Sequence, residues 1–369
     1  MEYLGPILLT IIGIIFKPRF KSEAPVKVWM GVICIYIILI IGLRYRVGTD
    51  TFIYMDRFER IPPLDEIFSR RKIEMIYEPG YFLINSICKC FSREFWPVQI
   101  VMATITSTCI FTFLYRTCKN VFVGIFLYLI FQWLFFGTEV MRESAAVGIF
   151  LVGYKYIDER KTLWKYFIFC GIAVTIHYSA LITFFFPLIR NWKFNYWFIG
   201  VCLVMLMITP LVETLNKLMV LGTITSKIAF YIKDSINLNM NFRIMEFIRN
   251  GISALFILWV YRYSKMDCKY RALLLLQIAM SCGAFALPII FSRFSDYTTL
   301  FMNVALANYV CTKAVDLRMR VFAVLFVILT QGYHYYKLYP ERCFPYVSIF
   351  DPYKVPEREE LFREIWKAH

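Results

Sequence analysis

The 369-residue chain is 59% hydrophobic, 19% aromatic and only 18% charged, with a formal net charge of +15. Soluble domains are roughly 45–50% apolar and about 25% charged, so an ordinary soluble enzyme or binding module is excluded. The positive charge does not point to nucleic acid either, because Lys and Arg gather in short loops between apolar runs, where they set membrane topology.

The apolar runs lie near 3–16, 27–43, 95–115, 120–136, 140–157, 163–190, 196–212, 246–262, 271–290, 297–312 and 321–336. They are continuous rather than alternating, which favours helices over a barrel, since lipid forces every backbone group to be satisfied within the spanning element. The expected fold is an all-α polytopic membrane protein of about 10–13 transmembrane helices, some of them half-length or re-entrant. Residues 1–369 are read as a single integral membrane domain. Segments 44–78 and 213–245 are read as outer-face loops, and 337–369 as a polar C-terminal tail. The first segment, "MEYLGPILLTIIGIIF", lacks a basic start and a small-residue cleavage site and is expected to stay as a helix with its N-terminus outside. The eleven cysteines are scattered without CxxC or CxxH spacing and read as small apolar residues.

The basic loops 17–27, 155–165, 262–271 and 313–320 are assigned to the cytoplasm. Segment 44–78 balances seven Lys/Arg with seven Asp/Glu and is assigned to the outside. Parity then constrains the spans. "YFLINSICKCF" (81–91) is too short to cross and is expected to be interfacial or re-entrant. The run 163–190, containing "AVTIHYSALITFF", must turn back on itself to keep 262–271 inside. Each half is about 13 residues, or roughly 20 Å at 1.5 Å per residue, only part of a ~30 Å core. His177 then lies at depth in a cavity open to the outside. A single long tilted helix is the rival reading.

This topology gathers Arg44, Arg46, Asp50, Glu78, Glu139, Arg142, Glu143, Arg293, Asp296 and His177 toward the outer face. Each has an ordinary explanation: Arg44 and Arg46 as interfacial anchors, Glu139, Arg142 and Glu143 as a local ion pair, His177 as a packed, hydrogen-bonded side chain. Charge at membrane depth costs roughly 2.5–3.5 kcal/mol on insertion scales, so it normally has a partner or a task. Arginines offer planar donor forks for a diphosphate, and a histidine or carboxylate can take a proton from a sugar hydroxyl. There is no DxD motif, P-loop or zinc spacing, so a lipid-linked diphosphate donor fits better than a metal-bound nucleotide sugar. No cofactor and no metal is expected.

The succession "GLRYRVGTDTFIY", "EPGYFLI", "MRESAAVGIFLVGYKYI", "AVTIHYSALITF" and "SRFSDY" resembles the EpsG/Wzy-like family of bacterial polysaccharide polymerases over about residues 42–300. By that resemblance Gly48, Asp50, Tyr54, Glu78, Gly80, Arg142, His177, Arg293 and Tyr297 fall on recurrent positions. The resemblance implies a GT-C-like glycosyltransferase in the bacterial cytoplasmic membrane, its site facing the periplasm or outside. It would polymerise undecaprenyl-diphosphate-linked O-antigen, capsule or exopolysaccharide repeat units, alongside a flippase and a chain-length regulator. Arg142 and Arg293, helped by Arg44 or Arg46, are the expected diphosphate ligands, with Tyr54 and Tyr297 also substrate-binding. His177 is the first choice of general base, with Glu78, Asp50 and Glu139 as competitors, or with a carboxylate orienting the imidazole. Arg243 and Arg249 are further substrate-binding candidates. A membrane O-acyltransferase and a lipid-linked glycan flippase are the alternative classes.

Overall fold

A computed structural model describes residues 2–20, 22–67, 77–158, 160–193, 195–217, 251–264, 268–338 and 345–351, with isolated positions at 241, 244, 247, 343, 356, 360 and 363. The described residues are helical, with an isolated β-bridge between Arg44 and Ser348. They divide into two compact units, Met1–Leu181 with His334–His369, and Ile182–Tyr333.

The first unit opens with α1 (Leu4–Phe16) and α2 (Glu23–Gly42), followed by α3 (Thr49–Arg60) and the short α4 (Leu64–Ile67). Segment 44–78, expected as a loop, therefore carries two helices. Gly48 makes the entry to α3 possible. Its φ is 91°, and a Cβ there would stand 2.8 Å from the carbonyl carbon of Thr138, so both conformation and space require glycine. Next come α5 (Pro79–Phe91), α6 (Trp96–Thr117), α7 (Val121–Phe131), α8 (Trp133–Thr138), α9 (Met141–Gly153) and α10 (Leu163–Ile176). Prolines at the first turns of α5 and α6 start those helices where a missing N–H costs nothing. The Asn120 side chain caps α7 by accepting from Phe122 N at 3.1 Å.

α9 is the centre of this unit. It packs against α6, α8 and α10, and almost every face of it is buried. Ser144, Ala145, Ala146 and Gly148 are small enough for close helix approach, and Ser144 Oγ lies 3.3 Å from Thr106 Oγ1 of α6. α2 closes the far side of α6. It buries Val26, Ile33, Ile37, Ile40 and Ile41 but exposes Val28, Val32, Ile35 and Leu39. α1 likewise exposes Leu4, Leu8, Ile11, Ile12 and Ile15. Apolar stripes of this size facing outward suit lipid rather than water. α2 and α6 are each long and apolar enough to cross a bilayer, and the protein is a helical membrane protein.

The run 163–190 is not one helix. α10 stops at Ile176, His177 is extended (φ −152°, ψ 127°), and a 3₁₀ helix runs from Tyr178 to Phe185 into the short α11 (Phe186–Ile189). The expected break therefore falls at the histidine.

The described part of the C-terminal tail is docked rather than loose. Tyr45 N donates to Val347 O at 2.8 Å and Ile349 N to Leu43 O at 2.9 Å. Tyr346 Oη donates to Ile40 O, and Tyr3 Oη to Cys343 O, each at 3.0 Å. These bonds bring the described part of the tail, with Tyr3 beside it, to the loop that joins α2 to α3.

The second unit contains α12 (Tyr196–Lys217), α13 (Ser253–Ser264), α14 (Cys268–Ala286) and α15 (Pro288–Val310), and α16 (Leu317–Leu338) follows. α14 packs against α12, α13 and α15, and Thr298 Oγ1 of α15 donates to Gln277 Oε1 of α14. Most of the expected loop 213–245, together with Arg243 and Arg249, lies outside the described residues.

Candidate active site

Three parts of the sequence meet in the first unit: the turn before α5, the first turn of α9 and the break after α10. The backbone explains how. Pro79 and Gly80 start α5, and Gly80 sits against Thr175. A Cβ at Gly80 would lie 2.9 Å from the Thr175 carbonyl oxygen, so only glycine allows α5 to enter this close to the end of α10. Glu78 occupies the N-cap position of α5, yet its side chain makes no capping bond to that helix. The carboxylate is left for other partners.

Those partners are Arg142 and His177. Arg142 Nη1 donates to Glu78 Oε2 at 2.5 Å, and His177 Nδ1 lies 3.2 Å from Glu78 Oε1. Tyr178 N, the first amide of the 3₁₀ helix, donates weakly to the same Oε1 at 3.5 Å, placing the anion at a helix N-terminus where the dipole favours it. Glu78 is 3% exposed. Burial on its own would raise its carboxyl; the His177 hydrogen bond and the Arg142 charge outweigh it and hold the group down at about 2. An ionised carboxylate only accepts, so the contact makes Nδ1 the protonated ring nitrogen. Nε2 is then the nitrogen with a free lone pair.

Nε2 faces a second carboxylate. Glu143 Oε2 stands 3.8 Å away, too far for a hydrogen bond, while Glu143 Oε1 accepts from Ser179 Oγ at 3.1 Å. Glu143 is 1% exposed, and the His177 side chain is 21% exposed. The imidazole thus lies between two carboxylates and keeps an accessible edge. A proton arriving at Nε2 would create an imidazolium with negative charge on both sides.

Arg142 is held by aromatic faces as well. Its guanidinium carbon lies 5.3, 4.6 and 5.4 Å from the ring centres of Tyr54, Tyr77 and Tyr81. The three rings also pack edge to face on one another, a geometry that suits their quadrupoles. Tyr54 comes from α3, so the loop at Gly48 bears directly on the cage. Arg57, one turn on, lies over Tyr77 at 5.4 Å.

The other expected residues fall elsewhere. Arg44 is buried, with its guanidinium donating to Ile41 O, to Val47 O at 3.2 Å and to Thr51 Oγ1 at 3.3 Å. That set ties the end of α2 to the start of α3. Arg46 has a positive φ of 50° and lies over the Tyr45 ring at 5.4 Å. Glu139 caps the end of α8 and contributes its charge to the surroundings of Arg44. Asp50 lies in the first turn of α3, within electrostatic reach of Tyr77. Arg293 and Tyr297 are one turn apart on α15 in the second unit, with Tyr297 fully buried. Glu143 is among the charges that the sequence gathers at the outer face but carries no assigned role there, and Ser179, Tyr77 and Tyr81 are not among the expected site residues. The available signal was their adjacency to Arg142, His177 and Glu78.

Among comparisons with known proteins, a model of the EpsG family matches residues 27–348. No curated protein and no solved structure matches the chain. The matched range takes in α2, the loop at Gly48, the tyrosine cage, Glu78, Arg142, His177 and α15, and the chain belongs to the EpsG family.

Proposed function

We propose that this EpsG-family protein is a membrane glycosyltransferase that polymerises undecaprenyl-diphosphate-linked oligosaccharide repeat units into a surface polysaccharide. The growing glycan on its lipid diphosphate is the donor. A hydroxyl at the non-reducing end of a new lipid-linked unit attacks the donor's anomeric carbon. The new glycosidic C–O bond forms, the C–O bond to the diphosphate breaks, and undecaprenyl diphosphate leaves.

His177 takes the hydroxyl proton at Nε2. Glu78 holds the ring by Nδ1–H, and Glu143 stabilises the imidazolium that forms, the division of labour expected when a base is oriented by a carboxylate. Glu78 itself is a poor base, because its carboxyl is held so far down and both its oxygens are engaged. Arg142 is assigned to the diphosphate, whose charge grows as it leaves. The site is assigned to the outer face of the cytoplasmic membrane on the charge balance of segment 44–78, with GT-C-like multi-pass architecture.

The observation that carries this reading is the single carboxylate of Glu78 joining a caged arginine to a histidine across distant parts of the chain. The test is purified protein in lipid with one lipid-linked repeat unit and neither nucleotide sugar nor acyl donor. Polymer on lipid diphosphate, with release of undecaprenyl diphosphate, is the expected product. Product that requires an acyl donor, or transbilayer movement of the unit without polymer, would overturn it.

A further inference from the structure

A cavity lies in the first unit, with none of Glu78, Arg142 and His177 in its lining. It has a volume of about 270 Å³, and its walls include Tyr45, Met55, Glu59, Arg93, Trp96 and Gln99. Trp96 and Gln99 come from the first turn of α6, and Ile349 of the docked tail is also part of the wall. Pockets for drug-sized ligands begin near 300 Å³, so this one suits a single sugar unit.

Gln99 supplies the observation that points to a ligand. It is 3% exposed, and its Nε2 has no hydrogen-bond partner among the described residues. A buried donor left without a partner is costly, and such groups normally have a reason. Around it stand half-buried aromatic faces, Trp96 and Tyr45, and exposed charges of both signs, Glu59, Arg93 and Glu94. Of the two arginines in the lining, Arg44 spends its donors on Ile41 O, Val47 O and Thr51 Oγ1, so Arg93 alone faces the carboxylates of Glu59 and Glu94 and the cavity has no surplus positive charge to hold a diphosphate, while a prenyl chain would leave the charges desolvated. A pyranose matches the set: an apolar face of C–H bonds for an aromatic ring, and hydroxyls that both donate and accept for the amide, the carboxylates and the guanidinium.

We infer that this cavity is a glycan subsite that binds one pyranose unit of the substrate outside the reacting centre. The inference rests on the reading that the substrate is a saccharide. α3 carries both sites on neighbouring faces. Tyr54 and Arg57 reach the tyrosine cage, while Met55, Phe58 and Glu59 line the cavity. A sugar held here would position the chain that enters the His177 centre.

The test uses the full-length protein in lipid nanodiscs. The probe is a lipid-free oligosaccharide of one repeat unit, cut from the polysaccharide whose synthesis depends on this protein. Binding is followed by saturation-transfer NMR and titration. Gln99→Leu is expected to weaken binding about tenfold, the equivalent of one good hydrogen bond. Glu59→Gln, at an exposed helical position that tolerates change, is expected to weaken it severalfold. Gly171→Ala, where a Cβ meets open space, is expected to bind as the wild type does. No binding by the wild type, or binding unchanged in Glu59→Gln and in any folded Gln99→Leu, overturns the subsite. Polymerisation by the wild type is scored in the same preparations, so a failed subsite with intact polymerisation leaves the proposed function standing. Binding without polymerisation sinks the function and keeps the site.

Discussion

Glu78 Oε1 lies 3.2 Å from His177 Nδ1, although 99 positions separate the two residues. The second oxygen of the same carboxylate holds Arg142. One buried anion therefore fixes the tautomer of the histidine and the position of the guanidinium together.

Glu78→Gln keeps the shape and removes the charge. The amide can no longer neutralise Arg142 or enforce a proton on Nδ1. Polymer formation is expected to fall about 100-fold or more, within the range for loss of a well-placed acid–base partner. Because folding lowers the Glu78 carboxyl from 4.5 to about 2, its stabilising contribution is complete above pH 4.5 and drains away as pH falls toward 2. Thermal unfolding in nanodiscs across that window should steepen with acid in the wild type and lose that part of the slope in Glu78→Gln.

Gly80→Ala should be destabilising through Thr175 alone. Overpacking costs about 1–3 kcal/mol, and here it pries α5 from α10 and moves Glu78 off His177. Gly171, on α10 itself, has open space where a Cβ would stand, with nothing within 4 Å. Gly171→Ala should leave melting temperature and activity unchanged, whereas Gly80→Ala lowers both.

The two glutamates flanking Arg142 should separate in function. Glu143→Gln removes a carboxylate that faces His177 Nε2 and is expected to cut turnover roughly tenfold to 100-fold, mainly in kcat. Glu139→Gln alters the surroundings of Arg44 and should act on stability instead. Initial rates and unfolding curves on the same preparations distinguish the two.

Arg44→Met should behave as a folding defect. It leaves the Ile41 and Val47 carbonyls, both acceptors from the buried guanidinium, without that donor, at about 1–3 kcal/mol each. The expected result is a lower melting temperature with little change in KM for the lipid-linked unit in protein that remains folded.

The apolar runs made most helices legible. α2 and α6 follow directly from continuous hydropathy, and charge parity in the loops calls for a turn within 163–190 near His177, where α10 ends. α3 was hidden because segment 44–78 is balanced in charge and reads as a loop. Its pattern is nonetheless helical, with Thr51, Phe52, Tyr54 and Phe58 buried and Asp56, Glu59 and Arg60 exposed. The site was legible in its principal members, Glu78, Arg142 and His177, and not in its details. Which of Glu139 and Glu143 faces the histidine depends on where α9 starts, and that boundary follows from packing. Arg44 carries the same charge as Arg142, but only burial shows that its donors are spent on backbone carbonyls. Tyr77 and Tyr81 look like ordinary aromatic filling until Arg142 lies over their rings.

The proposed chemistry turns on His177, held by Glu78, accepting the proton in glycan transfer. The decisive experiment is the product ladder made from a lipid-linked repeat unit by reconstituted wild type and by His177→Ala of matched thermal stability. A full ladder is expected from the wild type, and only the unreacted single unit from His177→Ala. A normal ladder from the folded variant would show that His177 is not the proton acceptor.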